Sequence, residues 1–479
     1  MKKLTSLGFC MYLLGLLIAF GFRPYSGAVS FYHADTAAPV VFKAKDHKGK
    51  NTLSTSGVIS FTTGLDNDNY LVDSFNKKIY FYVETKLAKL INLPLKRTPL
   101  NISIVIDRSG SMQGVKMGYA KKAAKGIVDQ LQPSDFVSVV MYDNAIDSVQ
   151  EPIAVTNKEL IKAKIDKITP RGSTNLWGGT EKGYDYVRKN YKPGFINRVL
   201  LISDGLANIG ITDSSVIHRK VQEFKDNEGI SLSTFGVGLD YNETLMTDMA
   251  ETGAGNYYFI DAPDHMMAMF EKELSGMLHV VAQNAEISIK LPKGVKIEKS
   301  YPMNYSLVGD VLLLKLRDLF EEETRSTLLQ FSVQDRTTLP LKFISTLSYT
   351  DVLDGKQKTT ANENSLTPTK SPETYLTHFN KDVIDQAILY TANEKLEQAM
   401  NQVDNRDFNG SRQSLETNRN FLKANNYYVK SNRGLQVMDS VNTRYSFLSS
   451  KATSLPPDSL KKIQKYSREA NYQVRNKRY

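Results

Sequence analysis

Two short, mostly apolar runs in this chain each end on an aspartate or one residue short of it. Asn101 to Ile106 precedes Asp107, and Arg198 to Ile202 precedes Ser203-Asp204. Both read as buried strands. From Pro99 to about Leu278 such strands alternate with segments of helical period, which argues for a mostly parallel sheet covered by helices on both faces. The expected strands are Ile102–Ile106, Phe136–Met141, Val199–Ile202, Leu232–Val237 and Asn256–Ile260, with an edge piece near Val149–Val155. The span Val115–Leu131 places Val115, Ala120, Ala123, Ala124, Ile127, Val128 and Leu131 at helical spacing. Further helices are expected at Lys158–Ile168, Gly178–Lys189, Ser214–Asn227, Glu243–Thr252 and His265–Leu278.

The flanks have a different pattern. Before Thr98, Phe61 to Thr63 and Lys78 to Val83 alternate apolar and polar residues between Gly, Asn and Asp clusters, as strands do. The Asp66-Asn67-Asp68-Asn69 cluster lacks the Gly and closing Glu of a helix-loop-helix calcium loop and reads as a turn. After Val281, four more strands are expected, at Ile287–Leu291, Val311–Leu316, Thr327–Val333 and Leu341–Leu347, as one half of a sandwich. The symmetry of the flanks suggests that they pair, with the α/β domain inserted between them. Gly355 to Pro372 is polar without apolar period and reads as a linker. Lys381–Met400, Ser411–Lys423, Ser431–Ser449 and Leu460–Val474 read as helices. The expected organisation is a signal peptide or signal anchor at 1–28, a β segment at 29–98, the α/β domain at 99–280, a β-sandwich segment at 281–353, a linker at 354–372 and a helical region at 373–479.

Three motifs in the α/β segment carry oxygen donors: Asp107-Arg108-Ser109-Gly110-Ser111, Gly172-Ser173-Thr174-Asn175 and Ser203-Asp204-Gly205. Each alone is commonplace, because such residues also cap helices and make turns. Together they place two carboxylates and three hydroxyls at strand ends or on a crossing loop. In an open α/β sheet, ligands bind at the carboxyl ends of the strands where strand order reverses. A hard cation such as Mg²⁺ takes about six oxygens at about 2.0–2.1 Å and keeps some of its waters. This set suits it and leaves a position open for another molecule's carboxylate.

The combination resembles the von Willebrand factor type A domain and its metal-ion-dependent adhesion site, over roughly Pro99 to Leu278. Ser134 to Tyr142, Asn197 to Gly205 and Phe235 to Gly238 also look like segments of that family. The resemblance implies a doubly wound, Rossmann-like sheet and a divalent cation, Mg²⁺ first with Mn²⁺ or Ca²⁺ open, at Asp107, Ser109, Ser111, Thr174 and Asp204. It also implies a protein ligand that donates a Glu or Asp carboxylate. The flanking β segments and the N-terminus resemble exported bacterial proteins related to the calcium-activated chloride channel group, although no pore-forming segment is seen.

Catalysis finds little support. Metal-assisted hydrolysis needs a general base near the metal, and the six histidines, His33, His47, His218, His265, His279 and His378, are scattered. The chain has no His-Glu-x-x-His, Gly-x-Ser-x-Gly or Walker motif, and Gly236-Val237-Gly238 lacks the third glycine of a dinucleotide fingerprint. A binding module is therefore expected rather than an enzyme. The alternatives are a scaffold whose cation stabilises a loop and, behind it, a metal-assisted hydrolase.

Lys2-Lys3, the apolar run Leu7 to Phe22 and the small residues Ser26-Gly27-Ala28 follow the order of a secretory signal. An uncleaved signal anchor is the alternative. The protein is expected in the periplasm or cell envelope. The single cysteine, Cys10, lies within the apolar run, so a cleaved chain would contain no disulfide. The net charge of +10 is spread thinly except in the basic stretch from Lys451 to Tyr479. That tail and the N-terminal segment are the candidate membrane contacts. The tail lacks the interleaved aromatic-basic pattern of a nucleic-acid module, and no nucleic-acid partner is expected.

Overall fold

The computed structural model describes residues 47–72, 78–88, 97–204, 207–260, 263–278, 280–333, 339–451 and 454–475. The expected signal segment, Cys10, Gly205 and the last residues of the basic tail lie outside this set. The chain begins with β1 (Thr52–Ser56), β2 (Ile59–Leu65), β3 (Asn69–Leu71) and β4 (Lys78–Leu87). The α/β domain follows: β5 (Leu100–Asp107), α1 (Val115–Gln130), β6 (Phe136–Tyr142), β7 (Ile146–Ala154), α2 (Lys158–Asp166), α3 (Leu176–Lys189), β8 (Ile196–Ser203), α4 (Ser214–Glu228), β9 (Ser231–Val237), α5 (Glu243–Thr252), β10 (Ala254–Ile260) and α6 (Pro263–Leu278). Strands return as β11 (Val280–Lys290), β12 (Val295–Tyr301), β13 (Ser306–Val308), β14 (Val311–Phe320), β15 (Thr324–Val333), β16 (Leu341–Asp351) and β17 (Gln357–Thr369). The chain ends in α7 (Pro372–Thr377), α8 (Lys381–Asp404), α9 (Phe408–Ala424), α10 (Asn426–Ser431), α11 (Arg433–Lys451) and α12 (Pro457–Arg475).

The α/β sheet has the order β10-β9-β8-β5-β6-β7, and only β7 runs antiparallel to its neighbour. Every residue of β5, β8 and β9 is buried, as expected for central strands covered on both faces. The two faces are separate cores. Ile102, Ile104 and Ile106 of β5 pack with Ala120, Ala123, Ala124 and Ile127 of α1. Val105 packs on the other side with Trp177, Tyr184 and Val187 of α3. Asn157, Asn175, Asp213 and Asn242 accept backbone N–H groups at the starts of α2, α3, α4 and α5, which fixes where each helix begins.

The inserted arrangement is what the structure shows. Strand β4, before the α/β domain, pairs with β15 after it, in a five-stranded sheet of order β1-β2-β4-β15-β12. The second flanking sheet is β13-β14-β11-β16-β17-β3, and the two enclose a core that includes Phe61, Phe81, Phe331 and Phe343. The Asp66–Asn69 cluster closes this unit. The Asp66 carboxyl accepts the Tyr80 N–H, the Asn67 amide donates to the Tyr375 carbonyl, and burial pushes Asp66 up to about 7.

The linker expectation is corrected. Residues 357–369 form β17, paired with β16 along its length and with β3 at its end. Its inward positions include Asn362 and Asn364, so apolar alternation is masked. The Asn362 amide donates to the Phe61 and Thr52 carbonyls, and Asn364 exchanges hydrogen bonds with Thr63 of the facing sheet. Polar groups buried and satisfied in this way substitute for apolar ones. Strands β12 and β13 and the short helices α7 and α10 are further elements that periodicity does not predict.

The C-terminal helices pack as a bundle, and α8 lies on the outer face of the five-stranded sheet, against Tyr82 and Leu328. Helix α12 reaches back to the α/β domain, where Tyr472 joins the core beside Tyr257. No helix of the described residues is long and apolar enough to cross a membrane.

One buried ion pair ties α6 to the sheet. Arg198 of β8 donates to the Glu273 carboxylate at 2.6 Å, and both side chains are almost wholly buried. The Ser233 hydroxyl, the Asn256 amide and the Tyr258 hydroxyl complete the shell. Burial alone would push the Glu273 carboxyl up, but Arg198 and these donors outweigh it and hold it below the usual range. Glu273→Ala should cost about 3–5 kcal/mol, because it leaves the guanidinium buried without its partner; urea unfolding at neutral pH checks this. A carboxyl depressed by folding stabilises above its unfolded value of 4.5 and loses that contribution as the pH falls through the lowered folded value. The gap between wild type and variant should therefore narrow in acid.

Candidate metal centre

Strand order reverses between β5 and β8, the two strands that end on the motif aspartates. Their register places Ile106 beside Ile202, so Asp107 and Ser203 emerge together. The Ser203 hydroxyl donates to Asp107 Oδ2 at 2.7 Å, and the Ser109 N–H donates to Oδ1 at 2.8 Å. Asp107 is fully buried, and among the described residues no cationic side chain pairs with it. Burial pushes its carboxyl up; the Ser109 and Ser203 hydrogen bonds oppose this, and the charge of Asp204 adds to it. Beside it in register on β6 is Tyr142, also buried, whose phenol is pushed far up by burial and then by the Asp107 charge.

From Asp107 the chain turns through Gly110–Met112 into α1. This turn brings the Ser109 and Ser111 hydroxyls within 3.0 Å of each other, and Ser111 donates to Asp204 Oδ1 at 2.9 Å. Burial is graded across the cluster: Asp107, Ser109 and Asp204 are buried, whereas Ser111 is exposed. On the other oxygen of Asp204 sits Lys116, from the first turn of α1, with its Nζ 2.5 Å from Oδ2.

The second motif arrives from the side. The Gly110 N–H donates to the Gly172 carbonyl at 3.0 Å, and the Arg171 N–H to the Arg108 carbonyl at 2.7 Å, which laces the two loops together. Thr174 is buried, and Asn208 holds it from both directions: its side-chain oxygen accepts the Thr174 N–H, and its own N–H donates to the Thr174 carbonyl. Asn175 then caps α3. Asp107, Ser109, Ser111 and Asp204 thus form one hydrogen-bonded chain with Ser203. Thr174 is held by Asn208 and Ile209 on a loop that Gly172 and Arg171 tie to the first motif, and among the described residues its hydroxyl makes no hydrogen bond to the other four.

The donor set fits a hard divalent cation. It offers a buried carboxylate without a basic partner, a second carboxylate and two mutually bonded hydroxyls, all oxygen. Among the described residues no cluster of three or more His, Cys, Asp or Glu could hold a metal, here or elsewhere, so this set relies on two carboxylates and hydroxyl oxygens. The structure adds three residues to those expected from sequence. Ser203 belongs to the third motif, and its position next to Asp204 is the signal that points to it. Lys116 and Asn208 carry no such signal, since a lysine in a first helical turn and an asparagine in a loop have many other uses.

Residues 101–272 match the model of the von Willebrand factor type A domain. The uncharacterized protein YfbK of Escherichia coli (strain K12) is 34% identical over 192 residues, which cover 40% of this chain and 33% of that protein. Inter-alpha-trypsin inhibitor heavy chain H2 of Mus musculus is 31% identical over 166 residues, 33% of this chain and 17% of that protein. The matched segment therefore spans a third or less of these two relatives. Among solved structures, a von Willebrand factor type A protein from Catenulispora acidiphila superposes with a TM-score of 0.65 at 15% identity, covering 82% of this chain and 92% of that one. The ArnB paralog VWA2 from Sulfolobus acidocaldarius gives 0.58 at 17% identity, covering 87% and 99%. These likenesses show the fold: a von Willebrand factor type A domain, with flanking sheets and a helical C-terminal region.

Gly172 takes φ +73°, and a Cβ there would come within 2.2 Å of Asn144 Oδ1, the acceptor of the Ser173 N–H. Gly172→Ala should therefore cost about 1–3 kcal/mol. At Gly110 the nearest atom to an added Cβ is 3.5 Å away, so Gly110→Ala should melt close to wild type. Thermal denaturation of both variants without divalent cations tests this contrast.

Proposed function

We propose that the α/β domain is a binding module that captures an acidic side chain of a protein ligand through a divalent cation, Mg²⁺ foremost, held by Asp107, Ser109, Ser111, Thr174 and Asp204. The observation that carries this reading is the buried Asp107 carboxylate at the switch point, joined through two hydroxyls to a second buried carboxylate. When bound, the cation supplies a Lewis-acidic position for a carboxylate oxygen. The chain's own residues do the rest. Ser203 and the Ser109 N–H fix the orientation of Asp107, and the exposed Ser111 marks the open side of the site. The lacing of Gly110 to Gly172 keeps the two loops in register.

The non-enzymatic part of the proposal rests on the sequence, in which the six histidines are scattered and no general-base motif accompanies the three oxygen-donor motifs. The proposal includes export to the periplasm or cell envelope, supported by the basic-apolar-small order of the first 28 residues.

Trp177, the only tryptophan, is buried in the first turn of α3 and reports on the Thr174 loop. Titrating Mg²⁺, Mn²⁺ and Ca²⁺ into the chain from Val29 onward should give saturable changes in both Trp177 fluorescence and heat, and Asp107→Ala should abolish them. Absence of binding by folded wild-type protein would overturn the proposal. Ser203→Ala should weaken the cation by about 10–100-fold, the usual effect of losing a residue that orients a metal ligand. Thr174→Ala should keep the cation but lose affinity for acidic peptides selected against Mg²⁺-loaded wild type; unchanged peptide affinity would remove Thr174 from the capture role.

A further inference from the structure

The chain carries its own cation at this site. Lys116 Nζ lies 2.5 Å from Asp204 Oδ2, and the Asp204 side chain is fully buried while that of Lys116 is a quarter exposed. The path of the lysine is built into the fold. It passes over Gly238, which has φ +81°, and a Cβ there would come within 2.9 Å of Lys116 Cε. A second carboxylate waits beside it: Asp240 Oδ2 is 3.9 Å from the same Nζ and more than half exposed. Asp240 is itself held on its other oxygen by Lys461 of α12, at 2.7 Å.

Resting on the cation-site reading above, we propose that Lys116 is an affinity-determining residue of that site: an internal competitor that occupies Asp204 until a divalent cation displaces it, with Asp240 receiving the displaced ammonium. Like charges in so confined a space repel strongly, so Lys116 must leave Asp204 for a cation to share that carboxylate. A long, flexible lysine side chain that stays partly solvated can do so. The distances make Asp240 the nearest available partner, and the lysine needs only a small swing to reach it. Lys461 competes for that partner, which connects the site to the helical region through one carboxylate.

The affinity of the cation then depends on three residues outside its own ligand set. Removing the competitor tightens binding. Removing its receiving carboxylate weakens binding, but only while the competitor is present. Removing Lys461 makes Asp240 a better receiver and tightens binding slightly. The dependence on Asp240 separates this role from a general effect of negative charge, because a field effect of Asp240 would persist without Lys116.

The experiment is Mg²⁺ calorimetry on the full chain from Val29, in wild type, Lys116→Met, Asp240→Asn and the double variant, with folding checked by circular dichroism and Trp177 emission. Lys116→Met keeps the length and the apolar stem of the side chain. It should bind Mg²⁺ about tenfold more tightly than wild type, the scale of the one charge-assisted hydrogen bond that the cation no longer has to break. Asp240→Asn should weaken Mg²⁺ severalfold in wild type and have no effect in Lys116→Met. Binding by Lys116→Met alone, with none by folded wild type, would show that a divalent cation does not displace Lys116 in the native chain, and would overturn the competitor role together with the reading that wild type takes up a cation. If wild type binds Mg²⁺ and Lys116→Met binds it equally or more weakly, or if Asp240→Asn weakens both backgrounds alike, the competitor role is overturned while the cation site stands. If neither wild type nor Lys116→Met binds, both readings fall.

Discussion

The 2.7 Å hydrogen bond from the Ser203 hydroxyl to Asp107 crosses the seam between β5 and β8, where the two halves of the sheet meet. It exists because the parallel register brings the ends of two fully buried strands together. A carboxylate at the end of such a strand cannot be hydrated from its flanks, so it must be met by donors that the fold supplies. The Ser109 N–H is one and Ser203 is the other. The turn into α1, the lacing of the second loop and the placement of Asp204 all follow from that fixed point. The first carboxylate is therefore fixed at a strand end, and the turn and loop that carry Ser109, Ser111 and Thr174 are tied to it by backbone hydrogen bonds.

Around this domain the chain closes on itself. Strands from before and after the insertion share one sheet, with β4 beside β15, while the strand that follows the α/β domain, β11, belongs to the second flanking sheet. Helix α12 adds another attachment, distant in sequence. Lys465 donates to the Tyr241 carbonyl and lies over the Tyr241 ring, Arg468 and Lys465 face Glu243, and Tyr472 packs on Tyr257. The contacts to Tyr241 and Glu243 fall on the segment that links β9 to α5, close to Lys116 and Asp240. A site on such a frame is exposed to the state of its neighbours, which a lone domain would not be.

Much of this is legible from local pattern. The alternation of apolar strands with helical periods locates each strand and helix of the α/β domain to within a few residues, because burial on both faces leaves a dense apolar signature. The four motif residues Asp107, Ser109, Ser111 and Asp204 stand out because strand ends and short spacing bring them together with little help from the rest of the chain. Strand β17 reads as a linker for the opposite reason. Its inward positions Asn362 and Asn364 are made acceptable by carbonyls and hydroxyls of β1 and β2, some three hundred residues earlier, and no local pattern announces that partner. Lys116 is invisible in the same way, since its meaning depends on which carboxylates it meets.

Local chemistry by itself determined the type of fold, the position of the carboxyl-terminal sheet edge and the nature of the donors gathered there. Periodicity and strand-end residues are short-range properties, and burial enforces them wherever the chain folds at all. Tertiary structure alone decided that strand order reverses between β5 and β8, that Asp107 is left without a basic partner while Asp204 has Lys116, and that Asp240 is shared between that lysine and Lys461 of the last helix. Charge pairing acts through space over a few ångströms, and only the packed chain sets which residues those few ångströms contain.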